Sequence, residues 1–199
     1  CAIIALIGFG SARKRIGMSA ATATRNSTAL RFDRADVLIL DHNAANGETL
    51  RSYLRNLGIQ KTKMVTTIAD ATAAGRERSW DIFFADISSQ PNEVCALVRS
   101  MREGRLTENP FLHIFLLAWK LDSDVARQTA TCGADELVMR PFAITLLEAR
   151  LKALISNRPD FVVTGDYVGP DRRRDRTRQP SLKAFAAPNS LRDKCQPDF

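Results

Sequence analysis

The 199-residue chain has two histidines and four cysteines, and neither type clusters. His42 and His113 lie far apart in sequence, so a metal centre built on imidazole is not expected. Cys1, Cys95, Cys132 and Cys195 sit far apart and form no C-x-x-C pair, which points to reduced, structural thiols. Glycine-rich phosphate loops are also missing. The chain reads Asp41-His42-Asn43-Ala44-Ala45-Asn46 where a dinucleotide-binding G-x-G-x-x-G would fall, and no P-loop occurs elsewhere. No helix-turn-helix pattern or aromatic-rich platform is found, so nucleic acid is not an expected partner. The apolar opening Cys1 to Phe9 is far too short to span a membrane. Its basic residues Arg13, Lys14 and Arg15 follow it rather than precede it, the wrong order for a signal peptide.

What the chain does have is an alternation of apolar runs and helical spacers. Val37 to Leu40, Met64-Val65, Ile82 to Ala85, Phe111 to Leu117 and Glu136 to Met139 read as five strands. Leu50, Tyr53, Leu54 and Leu57 fall at i, i+3, i+4 and i+7, one stripe of a helix that Gly58 ends. An alanine-rich second helix runs from Ile68 to Arg78 with Thr66 or Thr67 as its cap. A third spans Glu93 to Arg102, and a fourth, Ser123 to Cys132, stops at Gly133. A fifth carries Ile144, Leu147, Leu151 and Leu154 on one stripe. Parallel strands need crossover helices of this kind. The pattern predicts a doubly wound, five-stranded parallel α/β domain whose ligands sit beyond the carboxyl ends of its strands.

Asp41 ends the first strand, Asp86 the third, and Arg140-Pro141-Phe142 follows the fifth. Two carboxylates and a fixed cation at one sheet edge suggest a magnesium-assisted phosphate site. Transfer of a phosphoryl group spreads negative charge over equatorial oxygens, and a cation with a basic side chain stabilises that charge. This is the sole catalytic constellation in the sequence, so a metabolic enzyme is not expected.

From about Ala35 to Asn157 the chain resembles the receiver domain of two-component response regulators. The resemblance is carried by Asp41 with its following Asn43, by Asp86, by the Gly133-Ala134-Asp135 turn, and by Arg140-Pro141-Phe142 where the family usually has Lys-Pro-Phe. It implies the flavodoxin-like receiver fold, with Asp86 as phosphoacceptor and a histidine kinase or phosphotransfer protein as donor. It further implies Mg2+ held by Asp41, Asp86 and the backbone carbonyl of Ser88, with Arg140 contacting the phosphoryl group. Output would be protein contact through the fourth helix, fifth strand and fifth helix, to a downstream protein the sequence does not name. The rival reading is a phosphorylation-independent pseudo-receiver.

Departures from the family favour that rival. His42 stands where receivers carry a second acid, and a neutral imidazole is a poorer ligand for a hard cation, so weak Mg2+ binding is expected and His42 reads as a pocket-rim residue. Ala118 replaces the strand-four hydroxyl. Trp119 is larger than the residue usual there and would crowd or cover the pocket. Arg140 keeps the cation but not lysine's point charge.

The basic excess lies in the flanks. Between Ala35 and Ser156 there are 14 Lys and Arg against 15 Asp and Glu. Residues 1–34 read as a flexible lead with its start at Met18, residues 35–157 as the receiver, and residues 158–199 as a basic, largely disordered extension. The extension carries Tyr167-x-Gly169-Pro170-Asp171-Arg172-Arg173, a run resembling one found after the receiver in some stand-alone response regulators. Its arginines read as a solvated charge run, since Asp171 and Asp175 dilute the field. A stand-alone, cytoplasmic regulator is the expected whole.

Overall fold

A computed structural model describes residues 32–173 and 183–195. The expected lead, the Met18 start and the arginines 174, 176 and 178 lie outside the described residues.

The elements follow the expected order: β1 (Asp36–Leu40), α1 (Ala44–Asn56), β2 (Lys61–Val65), α2 (Ile68–Gly75), β3 (Ile82–Asp86), α3 (Pro91–Arg102), β4 (His113–Ala118), α4 (Ser123–Thr131), β5 (Glu136–Met139) and α5 (Ile144–Ser156). The five strands form one parallel sheet in the order β2-β1-β3-β4-β5. Alternate residues face opposite ways along a strand, and here both faces are covered. Leu38, Leu40, Phe83 and Ala85 pack with Ala71, Ala74, Val94 and Val98 of α2 and α3. Val37, Ile39, Ile82 and Phe84 pack with Leu50, Leu54, Leu147 and Leu151 of α1 and α5. Two-sided burial explains why the central strands read as unbroken apolar runs. The edge strands β2 and β5 are less buried, and in β2 the exposed Lys61 and half-buried Thr62 and Lys63 left a weak apolar signal. Thr67 is the cap of α2, its hydroxyl accepting from the Asp70 amide at 3.1 Å. Gly58, at φ +91°, ends α1 as expected.

The extension corrects the sequence reading. Its described residues add β6 (Phe161–Val163), β7 (Val168–Pro170), β8 (Ala184–Phe185) and α6 (Ser190–Cys195), and the three strands form a small antiparallel sheet in the order β7-β6-β8. Residues 183–195, expected to be disordered, place Leu191 and Cys195 in the α1/α5 side of the core with no exposed surface. Composition misled here because the apolar anchors are few and the charges many, yet the charges are paired. Asp135 takes Arg102 at 2.6 Å and Arg158 at 3.1 Å, and all three side chains are at most 4 % exposed. The Phe161 ring lies under both guanidinium groups, 5.1 Å from Arg102 and 4.6 Å from Arg158. The two arginines pull the Asp135 carboxyl below its usual range against the opposing effect of burial. Lys194 pairs with Asp81 at 2.6 Å, and the Asn189 side-chain carbonyl meets His113 at 3.0 Å.

The Tyr-x-Gly-Pro-Asp-Arg-Arg run fastens this layer to the turn after α4. Gly133 has φ +94°, and a Cβ on Gly169 would lie 2.7 Å from the Gly133 Cα, so both positions admit glycine alone without a shift of backbone. The Tyr167 hydroxyl donates to the Pro170 carbonyl at 2.9 Å, and Arg172 donates to the Ala134 carbonyl at 2.7 Å. Arg173 pairs with Asp171 at 2.9 Å. These two arginines are engaged within the molecule, a correction to the solvated charge run.

The cysteines among the described residues, Cys95, Cys132 and Cys195, are free and buried, as expected of reduced, structural thiols. Cys95 on α3 and Cys132 after α4 lie side by side, the Cys132 thiol donates to the Thr129 carbonyl at 3.4 Å, and its interaction with Cys95 holds the Cys132 thiol below the usual thiol range against the effect of burial. Sequence distance hid a pair made by the packing of α3 on α4. No helix among the described residues is long and apolar enough to cross a membrane.

Candidate functional site

Backbone pairing brings the site together. The Asp41 amide donates to Val65, the Ile87 amide to Leu117 and the Arg140 amide to Ala118, which aligns the ends of β1, β3 and β5 along one edge of the sheet. Asp41 and Asp86 are 1 % and 4 % exposed, and Arg140 is 9 % exposed. The three side chains meet. Arg140 Nη2 donates to Asp41 Oδ2 at 2.7 Å and Nη1 donates to Asp86 Oδ2 at 3.0 Å, so one guanidinium bridges both carboxylates. The remaining oxygens are also occupied: Asp41 Oδ1 accepts from the Asn43 amide and Asp86 Oδ1 from the Ser88 amide, each at 2.9 Å.

Asn43 does a second job, capping α1 by accepting from Ala45 and Asn46. Its backbone N–H on Asp41 and its side chain on Ala45 and Asn46 together tie the start of α1 to the strand end that carries Asp41. The Ser88 hydroxyl accepts from the Trp119 amide at 3.2 Å, joining the β3 and β4 loops. Trp119 stands 48 % exposed with its ring 5.8 Å from the Arg140 guanidinium, a cation–π lid over the bridge. With Asn46, Thr49, Tyr53 and Phe142 it lines a cavity of about 100 Å3 beside Arg140. Ala118 is fully buried at the end of β4 and brings no hydroxyl.

His42 is half-buried, and its Nδ1 donates to the Thr66 carbonyl at 2.9 Å. Its Nε2 is buried with no partner. The imidazole is thus turned to the loop after β2 and supplies no third carboxylate. No group of three metal-ligating side chains exists among the described residues. Magnesium prefers an octahedron of oxygens, and here the two outward carboxylate oxygens are held by a guanidinium. As arranged, the donor set does not fit the ion.

What the arrangement can do is hold a nucleophilic carboxylate against a permanently charged, bidentate donor in a largely dry pocket. Sequence reasoning found Asp41, Asp86, Arg140 and Trp119; it did not foresee that Arg140 would close on both acids. A long side chain directly after the last residue of a strand carries no signal for its partner.

Structural comparison places this architecture. The chain superimposes on a response regulator from Thermotoga maritima at TM-score 0.54 and 22 % identity, covering 62 % of this chain and 98 % of that one. The fold is that of a receiver domain. The chemotaxis protein CheY4 of Vibrio cholerae matches at TM-score 0.52 and 18 % identity, covering 59 % of this chain and 96 % of that one. A two-component response regulator from Clostridium difficile matches at TM-score 0.55 and 18 % identity, with 62 % and 98 % covered. No family model and no curated sequence matches the chain. The receiver fold thus accounts for about three fifths of the chain, and the β6–β8 and α6 layer is added to it.

Proposed function

We propose that this chain is a cytoplasmic receiver module of a two-component relay, taking a phosphoryl group on Asp86 from a histidine kinase or phosphotransfer protein and signalling by protein contact. The observation that carries this reading is the Arg140 bridge: it puts a nucleophilic oxygen, Asp86 Oδ2, 3.0 Å from a fixed cation at the mouth of a receiver fold. In the transfer, Oδ2 attacks phosphorus in line, the P–O bond forms, and the P–N bond of the donor phosphohistidine breaks, its electron pair leaving with the imidazole. Nη1 then passes from the carboxylate to a phosphoryl oxygen, while Nη2 stays on Asp41. Guanidinium forks suit such planar, two-point recognition. The reaction modifies the protein itself; turnover of a small metabolite is not proposed. Output would use α4, β5 and α5, where Met139 and Leu146, with Leu121 just before α4, stand exposed.

A second reading, a constitutive interaction module, is favoured by one specific observation: the acids are already neutralised in part by Arg140 and Ala118 offers no hydroxyl to report a phosphoryl group. Incubation with phosphoramidate followed by intact-mass measurement separates the two. The relay reading expects one added phosphoryl group, lost in Asp86→Asn; absence of any adduct supports the constitutive module, and unchanged labelling of Asp86→Asn refutes Asp86 as acceptor.

A further inference from the structure

We propose that Arg140 is the resident cation of the acidic pocket and takes the place of a divalent metal, so that the site is assembled, and receives its phosphoryl group, without one. The inference deepens the relay reading and rests on Asp41 and Asp86 forming the accepting pocket.

Four carboxylate oxygens are present and each has a donor. The two that face each other share one guanidinium, at 2.7 and 3.0 Å, and the two behind them take the backbone amides of Asn43 and Ser88. A metal ion ligating those same oxygens would compete with the guanidinium for them and sit beside its charge.

The arginine is not a swinging arm. Its backbone amide is fixed to the Ala118 carbonyl at 2.8 Å, its side chain is 6 % exposed, and the Trp119 ring stands beside the guanidinium. An arginine does not shed its charge at any ordinary pH, so the pocket cannot release it by deprotonation. A divalent ion entering beside it meets a like charge a few ångströms away, in a site where screening by water is small.

The residue after Asp41 argues the same way. His42, where a second acid would stand, spends its Nδ1 on Thr66 and keeps a buried, unpartnered Nε2. Nitrogen is a poor substitute for the carboxylate oxygen that a hard cation selects. Two acids against one permanent cation leave a single negative charge, which a bound phosphoryl group would meet through the guanidinium fork.

Magnesium titration read by tryptophan fluorescence tests this directly. Trp119 reports the pocket, while Trp80, the other tryptophan, is 1 % exposed and packs on the α2/α3 side of the sheet. The wild-type protein is expected to show no saturable response through the millimolar range. Arg140→Met, which frees both outward oxygens, should gain one, tighter than wild type by about tenfold or more once the like charge is gone. Arg140→Lys guards against misfolding of the methionine variant: a lysine is a point charge, gives up the two-acid bridge, and should bind magnesium measurably. Calorimetric titration provides a readout independent of Trp119. Wild-type binding as tight as that of either folded variant, or no gain in both, overturns the proposal. Phosphoramidate labelling in the presence of EDTA completes it: labelling unaffected by the chelator is expected, and chelator-blocked labelling refutes metal independence. A protein that takes no label under any condition refutes the relay reading instead, leaving the magnesium titrations to stand or fall separately.

Discussion

Acidification through the imidazole range should weaken this fold by an amount traceable to one side chain. His113 opens β4 at 1 % exposure, its Nε2–H donating to the Asn189 side chain of the extension at 3.0 Å and its Nδ1 buried without a partner. Burial pushes its pKa down to about 4 from 6.5, helped by the charges of Arg158 and Arg102 and opposed by Asp135. Between those values the unfolded imidazole holds a proton that the folded one refuses, so the unfolded state binds more protons and stability falls as pH falls. The contribution is whole above about 6.5 and is lost progressively down to about 4. At about 1.4 kcal/mol per pH unit, that interval is worth roughly 3 kcal/mol. Urea unfolding of the wild type and of His113→Gln, followed from about pH 7 to pH 4.5, measures it as the difference between the two curves. Carboxylates that titrate near the lower end are common to both proteins and cancel. The wild type should lose roughly 3 kcal/mol more than the variant over the range; parallel curves would refute the reasoning.

Other expectations follow from the same contacts. Asp135→Asn leaves Arg102 and Arg158 buried without a counter-charge and should cost about 3–5 kcal/mol by urea unfolding, whereas Glu148→Gln, at the exposed pair with Lys152, should cost less than about 0.5 kcal/mol. Gly169→Ala drives a methyl group to 2.7 Å from the Gly133 Cα and should destabilise by about 1–3 kcal/mol in thermal melts. Gly165→Ala, with nothing within 4 Å, should leave the melt unchanged and serves as its control. Ala118→Thr supplies the missing hydroxyl, and hydrogen exchange over Leu116 to Cys132 should then respond more strongly to a phosphoryl mimic than in the wild type; equal responses would show that another group couples the pocket to α4.

Much of the receiver was legible because its signals are local. Leu50, Leu54, Leu147 and Leu151 announce helix faces by spacing, and Phe83 and Phe84 announce a strand buried on both sides. Asp41, Asp86 and Arg140 were found because strand ends converge on one edge in any doubly wound sheet. The bridge itself was not legible, since which acid a guanidinium reaches depends on rotamers and loop geometry. The extension was misread for a related reason. Arg158 and Phe161 are scattered among charges, and they meet Asp135 and Arg102 of other elements, while Leu191 packs into the α1/α5 side of the core. Low hydrophobicity predicts disorder when charges are solvated; here they are paired inside.

The placement of the extension bears on how any signal could leave the pocket. Its contacts fall at the amino ends of the strands, through Asn189 on His113 and Lys194 on Asp81, and at the turn after α4, through Gly169 and Arg172. None of these contacts reaches the Asp41–Arg140–Asp86 edge. The carboxyl end of α4 is therefore fastened twice, by the latch at Gly133 and by the buried Asp135 network, while its amino end is held by the exposed Asp122 cap and preceded by the exposed Leu121. Along its length α4 also packs on α3, with Val125 against the core and Gln128 donating to Asn92 at 2.9 Å. Any change relayed from Asp86 through the Ser88–Trp119 contact reaches α4 at its loosely held end, the end nearest the pocket. The added layer thus fastens the carboxyl end of α4 and leaves the surface that carries Trp119 and Leu121 uncovered.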